Sequence, residues 1–167
     1  LAQVLSDAGL RHLHIAETQK YAHVTYFLNG GEEKPFPGEE RILIPSLEKH
    51  FDEEPEMRAR EITAGILENY DKYDMIIANF ANTDMVGHSG NYTAAIKAVE
   101  IVDECLKQLV DKVLASDGIM IITGDHGNIE RKRDLISGEK TTEHSTNPVY
   151  FILVGKKYKF AKLIDEN

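Results

Sequence analysis

The chain contains a single cysteine, Cys105, among its 167 residues. One cysteine cannot form a disulfide within the chain, so the fold cannot depend on oxidising conditions, and this favours a cytoplasmic location. Long hydrophobic runs are also missing, and residues 1–12 lack the charged start and apolar stretch of a secretory signal. The sequence therefore predicts neither export nor a membrane partner.

Basic residues are scarce relative to acidic ones. The chain has 19 Lys and Arg against 28 Asp and Glu, which gives a net charge of -9. Proteins that bind nucleic acid by neutralising phosphates carry the opposite sign, so we predict no nucleic-acid partner. With 42% hydrophobic and 28% charged residues, the composition is typical of one soluble globular domain with a sizeable core.

Hydrophobic periodicity predicts an alternation of helices and strands. Helices are predicted from residue 1 to about Gly9, over residues 18–28, from Pro55 to about Tyr70, and over residues 92–114. Strands are predicted over residues 13–16, 41–45, 74–80, 118–123 and 148–154. Apolar strands separated by helices favour a mostly parallel sheet that is covered on both faces. We therefore predict an α/β fold, a three-layer α/β/α sandwich.

Acidic and imidazole side chains follow two of the predicted strands, at the point where each strand ends. Asp84 and His88 come after the third predicted strand, and Asp125 and His126 come directly after the fourth. His144 lies in the long connection that precedes the last strand. Because the carboxyl ends of parallel strands meet at one edge of a sheet, we expect these five side chains to line one crevice.

Carboxylate and imidazole donors without thiolate suit manganese, zinc or magnesium. The number of donors predicts more than one ion, and Gly87 and Gly127 would let the backbone bend closely around the cations. A single Asp and His pair is weak evidence, since an aspartate at a strand end often caps the following helix. Three such groups at one edge favour a site for divalent metal.

Other polar residues have simpler interpretations. Cys105 is predicted to be a small core residue. The "RKR" segment at 131–133 predicts a solvated loop, and attraction of an anionic substrate is the alternative for it. The remaining histidines are predicted to lie at the surface or to pack against other side chains; they are His12, His14, His23 and His50.

Four segments resemble the cofactor-independent (2,3-bisphosphoglycerate-independent) phosphoglycerate mutases of the alkaline phosphatase superfamily. They are "HIAETQKYAHVTYFLNGG", "NFANTDMVGHSGNYTAAIKAVEIVD", "TGDHGNIE" and "TEHSTNPVYF", which occur in the family's order. The resemblance implies an alkaline phosphatase-like fold and an isomerase of glycolysis. Such an enzyme interconverts 3-phosphoglycerate and 2-phosphoglycerate through a phosphoserine, with two divalent ions, usually manganese, and without 2,3-bisphosphoglycerate.

Carried over by position, the resemblance implies that Asp84, His88 and His144 hold one metal. Asp125 and His126 would contribute to the second. Lys20, in "KYAHVT", would be a catalytic residue that contacts the transferred phosphoryl group. The partner implied is a small phosphorylated substrate, and the parent enzyme would be a monomer.

The resemblance also implies that residues 1–167 form a single partial phosphatase-like domain. The family's amino-terminal nucleophile segment, inserted domain and final carboxyl-terminal segment are expected to be absent, so the chain alone is expected to be inactive. Two alternatives stay open. One is another phosphomutase or a phosphodiesterase of the same superfamily, and the other is a non-catalytic metal-binding or interaction domain.

Overall fold

The computed structural model describes residues 1–133 and 137–162. The regular elements in chain order are α1 (Ala2–Asp7), β1 (His12–Glu17), α2 (Tyr21–Val24), β2 (Glu39–Ile44), α3 (Ala59–Asn69), β3 (Met75–Asn79), α4 (Asn82–Gly87), α5 (Tyr92–Ala115), β4 (Met120–Thr123) and β5 (Phe151–Val154). Short 3-10 turns cover Thr18–Lys20, Tyr70–Lys72 and Lys156–Tyr158. Residues 163–167, after which the family's final segment is expected to be absent, lie outside the described residues.

The main sheet is parallel, with the strand order β2-β1-β3. His12 at the start of β1 pairs with Glu39 on one side and with Met75 on the other. All six residues of β1 are buried, as expected for the central strand of a sheet that is covered on both faces.

One face of the sheet packs against α3 and α5. Leu13 and Ile15 of β1 form a buried cluster with Ile62 of α3 and Leu109 of α5. A Cβ atom on Gly65 of α3 would lie 2.7 Å from Cδ1 of Ile15. Glycine therefore allows α3 to approach the central strand closely.

The side chains that alternate with these point to the opposite face, which α1 and α2 cover. Nδ1 of His14 bonds to the carbonyl oxygen of Val24 in α2, and Nε2 of His12 lies 3.3 Å from Oγ of Ser6 in α1. Helices thus cover both faces of a parallel sheet, and the predicted three-layer α/β class is confirmed.

β4 and β5 form a separate antiparallel pair, in which Thr123 is opposite Phe151 and Met120 is opposite Val154. The sequence predicted a mostly parallel sheet without setting these two strands apart, because an apolar run carries no information about strand direction. The first residue of β5 lies beside the last residue of β4. The connection that contains His144 therefore still returns to the edge where β4 ends.

The helix predicted over residues 18–28 is much shorter in the structure. Only α2 and the 3-10 turn before it are helical, and the hydroxyl of Thr25 donates to the carbonyl oxygen of Tyr21 at 2.8 Å. Thr25 itself has φ -120° and ψ -91°, which is not helical. In contrast, α5 begins where predicted and ends one residue later. Among the described residues, no helix combines the length and the apolar content that spanning a bilayer requires.

Candidate metal centre

Asp84 lies in the first turn of α4, which follows β3. Its side chain is only 13% exposed, and both carboxylate oxygens have donors. Oδ2 is 2.8 Å from Nζ of Lys20, and Oδ1 accepts a hydrogen bond of 2.6 Å from Nδ2 of Asn128. Lys20 lies in the 3-10 turn after β1, so residues that follow β1, β3 and β4 meet at one carboxylate.

Three imidazoles surround Oδ1 of Asp84. The Nε2 atoms of His88, His144 and His126 lie 3.2, 3.3 and 3.9 Å from this oxygen. The rings of His126 and His144 stack with their centroids 3.7 Å apart, and Nε2 of His144 is 3.1 Å from Nε2 of His88. Three nitrogen donors therefore converge on one oxygen.

A short backbone contact explains why His126 and His144 meet. Their neighbours Gly127 and Ser145 form an isolated antiparallel bridge, in which the Ser145 N–H donates to the Gly127 carbonyl oxygen at 2.8 Å. A Cβ atom on Gly127 would lie 2.6 Å from Oε1 of Glu130. Glycine at 127 therefore leaves space for neighbouring side chains. The sequence analysis gave it a different role, a backbone bend around a cation.

The hydrogen bonds of His88 determine which ring nitrogen is free. Nδ1 of His88 lies 2.7 Å from the carbonyl oxygen of Thr142, which can only accept. The proton of the neutral ring is therefore on Nδ1, and Nε2 directs a lone pair toward Asp84. Metal-binding histidines commonly have this arrangement, in which a carbonyl fixes the ring and its tautomer.

Asp125 lies at the rim of the centre, with a side chain that is 47% exposed. Its Oδ2 is 3.6 Å from Nζ of Lys20, and its Oδ1 is 3.6 Å from Nε2 of His126. Lys20 thus lies between the two carboxylates. His126 lies at similar distances from both, so its geometry suits either of the two ions that the resemblance implies.

The pKa of Asp84 reflects this environment. Burial of the carboxyl raises the pKa, but hydrogen bonds from Lys20 and Asn128 and the positive charge of Lys20 outweigh it and lower the pKa to about 2. Asp84 is therefore a carboxylate throughout the physiological range, as a metal ligand must be.

The donor set fits a divalent cation. Ligand atoms of Asp84, His126 and His144 all lie within 4.8 Å of one another, and Nε2 of His88 is beside them. A carboxylate oxygen and imidazole lone pairs are all acceptors, so a cation among them would replace repulsion with attraction. The nitrogen and oxygen donors suit manganese, zinc or magnesium.

Comparison with known proteins agrees with this chemistry. The family model of the metalloenzyme superfamily matches residues 1–166. The chain belongs to the metalloenzyme superfamily.

Relatives within this superfamily are named as enzymes. The chain is 52% identical over 164 residues to the 2,3-bisphosphoglycerate-independent phosphoglycerate mutase of Moorella thermoacetica, and 53% identical over 162 residues to that of Clostridium botulinum. These alignments cover 98% and 95% of the chain but 32% of each relative. The chain thus spans about a third of the length of the curated relatives it matches.

A solved structure shows the same fold. The crystal structure of Leishmania mexicana phosphoglycerate mutase at low cobalt concentration matches with a TM-score of 0.86 and 35% identity. The match covers 92% of this chain and 31% of that one. The alkaline phosphatase-like fold expected from the sequence is therefore confirmed for this member of the metalloenzyme superfamily.

Two side chains that the sequence analysis did not assign to the site support the carboxylate of Asp84. Asn128 donates to the carboxylate of Asp84, and the ammonium of Lys132 bonds to Oδ1 of Asn128. Lys132 is only 5% exposed, so a solvated loop is wrong for it, although Arg131 and Arg133 are exposed. The position of Asn128 two residues after His126, within the segment "TGDHGNIE", was the available sequence signal for it.

The remaining histidines divide as predicted between packing and surface positions. His12 and His14 are fully buried, and with Glu39 they form a second cluster whose possible ligand atoms lie within 4.8 Å of one another. Nδ1 of His12 is 2.9 Å from Nε2 of His14, and Glu39 pairs with Arg41 at 2.5 Å. Each of these groups has at least one hydrogen-bond partner inside the fold. His23 and His50 are exposed, and Cys105 is buried as predicted.

Proposed function

We propose that this chain is the metal-binding part of a phosphoglycerate mutase that interconverts 3-phosphoglycerate and 2-phosphoglycerate without 2,3-bisphosphoglycerate. One observation carries the proposal: a carboxylate, three imidazoles and an ammonium converge at the end of the sheet in a chain about half identical to enzymes of that name. The enzyme would be a cytoplasmic, monomeric isomerase of glycolysis that uses manganese.

The metal ligands in this proposal are those that the resemblance implies. Asp84, His88 and His144 hold one ion, and Asp125 and His126 contribute to the second. The convergence around Oδ1 of Asp84 supports the first set, and the place of His126 between the two carboxylates supports the second. The remaining ligands, the serine nucleophile and the substrate-binding domain would belong to the parent enzyme outside residues 1–167.

Bound divalent ions would stabilise negative charge on the phosphoryl oxygens during transfer. The chain's own residues orient the groups around them. The Thr142 carbonyl holds the His88 ring, and Lys20 presents its ammonium at the same edge, between Asp84 and Asp125. An ammonium placed there can donate to a phosphoryl oxygen and add to the charge stabilisation.

The test uses the full-length protein that contains this chain. After treatment with a chelator, it should convert 3-phosphoglycerate only when a divalent ion is restored, with no 2,3-bisphosphoglycerate added. In calorimetric titration with Mn²⁺, Asp84→Ala and His144→Ala should each abolish binding at the first site, while His50→Ala at an exposed position should not.

Other outcomes would reject the proposal. Unchanged Mn²⁺ affinity in Asp84→Ala and His144→Ala would remove these residues from the ligand set. Turnover of a different phosphate ester, with none of phosphoglycerate, would instead identify another phosphomutase or a phosphodiesterase. Metal binding without turnover of any ester would favour a non-catalytic domain.

A further inference from the structure

The amide of Asn128 has only one orientation that satisfies its neighbours. Its Nδ2 faces two acceptors, the main-chain oxygen of Asp84 at 3.1 Å and Oδ1 of the same residue at 2.6 Å. Its Oδ1 faces the ammonium of Lys132, which can only donate. Rotation of the amide by 180° would place oxygen against oxygen on one side and N–H against N–H on the other.

Lys132 is a buried cation whose contacts lie behind the metal centre. Its side chain is almost fully buried. Its Nζ donates to the Gly87 carbonyl oxygen at 2.9 Å and also to Oδ1 of Asn128. A buried ammonium needs such partners, because it loses its hydration. Lys132 thus links the end of α4 to the loop that follows β4.

Gly87 makes this link possible. A Cβ atom on Gly87 would lie 2.7 Å from Oδ1 and 2.9 Å from Cγ of Asn128. Any larger residue would push the amide away from its place between Lys132 and Asp84. Position 87 therefore requires glycine, because the Asn128 amide occupies the space that a Cβ atom would take.

We propose that Lys132 is a positioning residue for the metal centre, which acts through Asn128 to hold the Asp84 carboxylate in the orientation for metal binding. Lys20 holds Oδ2 of Asp84 from the other side. With both oxygens fixed, Oδ1 is presented to the three imidazoles. The inference rests on the proposed role of Asp84 as a metal ligand and adds the residues that orient it.

Charge and orientation act in opposite directions at Lys132. The ammonium alone repels a metal cation, so its removal would tighten binding if charge were decisive. Its hydrogen bond orients Asn128, so its removal weakens binding if orientation is decisive. Lys132→Met removes both, whereas Lys132→Gln removes the charge and keeps an N–H donor for Oδ1 of Asn128.

The experiment is Mn²⁺ titration, by calorimetry, of the chelator-treated full-length protein. Lys132→Met should weaken Mn²⁺ binding about 10-fold, the lower end of what loss of a partner of a metal ligand costs. Lys132→Gln should recover most of this loss. Asn128→Ser should weaken binding by a similar factor, and adding Lys132→Met to Asn128→Ser should have no further effect, because both act through one link.

A matched control is Lys156→Met, which makes the same change at an exposed lysine and should leave Mn²⁺ affinity unchanged. Unchanged or tighter binding in Lys132→Met, or full additivity with Asn128→Ser, would overturn the inference. If Lys132→Met does not fold, Asn128→Ser is the test of the inference. Unchanged Mn²⁺ affinity in that variant would also overturn it. Loss of binding in Asp84→Ala together with intact binding in Asn128→Ser would leave the proposed function standing and reject this inference.

Discussion

At the scale of single residues, Asp84 lies close to five other side chains of the metal centre. It accepts from Lys20 and Asn128 and faces the Nε2 atoms of three histidines. These donors hold an ionised carboxylate in a place where burial alone would favour the protonated form. Both its ionisation and its orientation are therefore properties of the surrounding fold.

The lowered pKa of Asp84 predicts how stability depends on pH in the metal-free protein. A folded-state pKa of about 2, below the ordinary 3.8, means that the folded protein binds fewer protons than the unfolded chain. The stabilisation is therefore complete above about pH 4 and is lost as pH falls toward 2. It amounts to roughly 2 kcal/mol. Urea unfolding should show that Asp84→Asn removes this part of the acid dependence.

The control for this measurement is Asp103→Asn on the exposed side of α5, which keeps every contact of the centre. Its stability should follow the wild-type pH curve. Parallel curves for Asp84→Asn and wild type would show that the ionised carboxylate contributes nothing to stability.

Lys20 gives a second prediction at this scale, concerning catalysis in the full-length enzyme. Removal of one group that stabilises developing charge typically lowers kcat by about 100-fold or more, and Lys20→Met should do so. Mn²⁺ affinity should change much less than kcat, because loss of a positive charge 2.8 Å from Asp84 offsets loss of the hydrogen bond that holds its Oδ2. Steady-state kinetics and metal titration test both parts. A kcat close to wild type would remove Lys20 from the catalytic machinery.

Sequence reasoning identified the side chains with obvious chemistry and missed those that orient them. Four of these side chains follow strand ends and His144 precedes the last strand, and the structure brings all five together; the four are Asp84, His88, Asp125 and His126. Their supporting residues carry no such signal. Asn128 has the residue type of an ordinary turn. Lys132 lies between two arginines, a pattern typical of a solvated surface loop. Only the tertiary structure shows that Lys132 is buried, because its acceptors are set by the meeting of α4 with a distant loop.

At the scale of elements, packing of α3 and α5 on β1 supplies the main apolar cluster. Ile62 of α3 is fully buried in it, whereas Ile96 of α5 is 46% exposed. The two isoleucines both lie on helices, so they form a matched pair for measuring the contribution of burial.

Ile62→Ala should lower the free energy of unfolding by about 2–5 kcal/mol, because it removes buried methyl groups and leaves a cavity. Ile96→Ala should cost much less, since its side chain already contacts water. Urea denaturation of both variants measures the difference. Equal losses would contradict the packing described for α3.

The sequence predicted helices and parallel strands best where periodicity is long and local. The apolar stripe predicted a helix of 23 residues over 92–114, and α5 has 24 residues in the structure. The segment after β1 was mispredicted because the Thr25 hydroxyl bonds to the backbone and the chain leaves helical geometry there. The direction of β5 was also missed, since it depends on where a long connection returns, and apolar alternation does not encode this.

At the scale of the whole molecule, exposed apolar side chains concentrate around β4 and β5. Ile121 is 57% exposed, Phe151 50% and Tyr150 84%. Such a patch, next to a strand pair with unpaired edges in the described part of the chain, is a typical contact surface.

The isolated 167-residue chain is therefore predicted to self-associate. Its apparent mass in size-exclusion chromatography with light scattering should increase with concentration. The double variant Ile121→Lys and Phe151→Lys should reduce this increase, while Val4→Lys, at an exposed position on α1, should not. A mass that stays monomeric at all concentrations would show that this surface does not drive association.

The contacts of the metal centre join parts of the chain that are far apart in sequence. His88 and His144 are 56 positions apart, and Asp84 and Asn128 are 44 apart. The donors come together only when these distant segments are folded against one another. An ion would therefore bind the folded chain and not the unfolded one. Occupancy of the metal site would then indicate that the chain is folded. The ion concentration in the cell would shift the equilibrium between folded and unfolded chains.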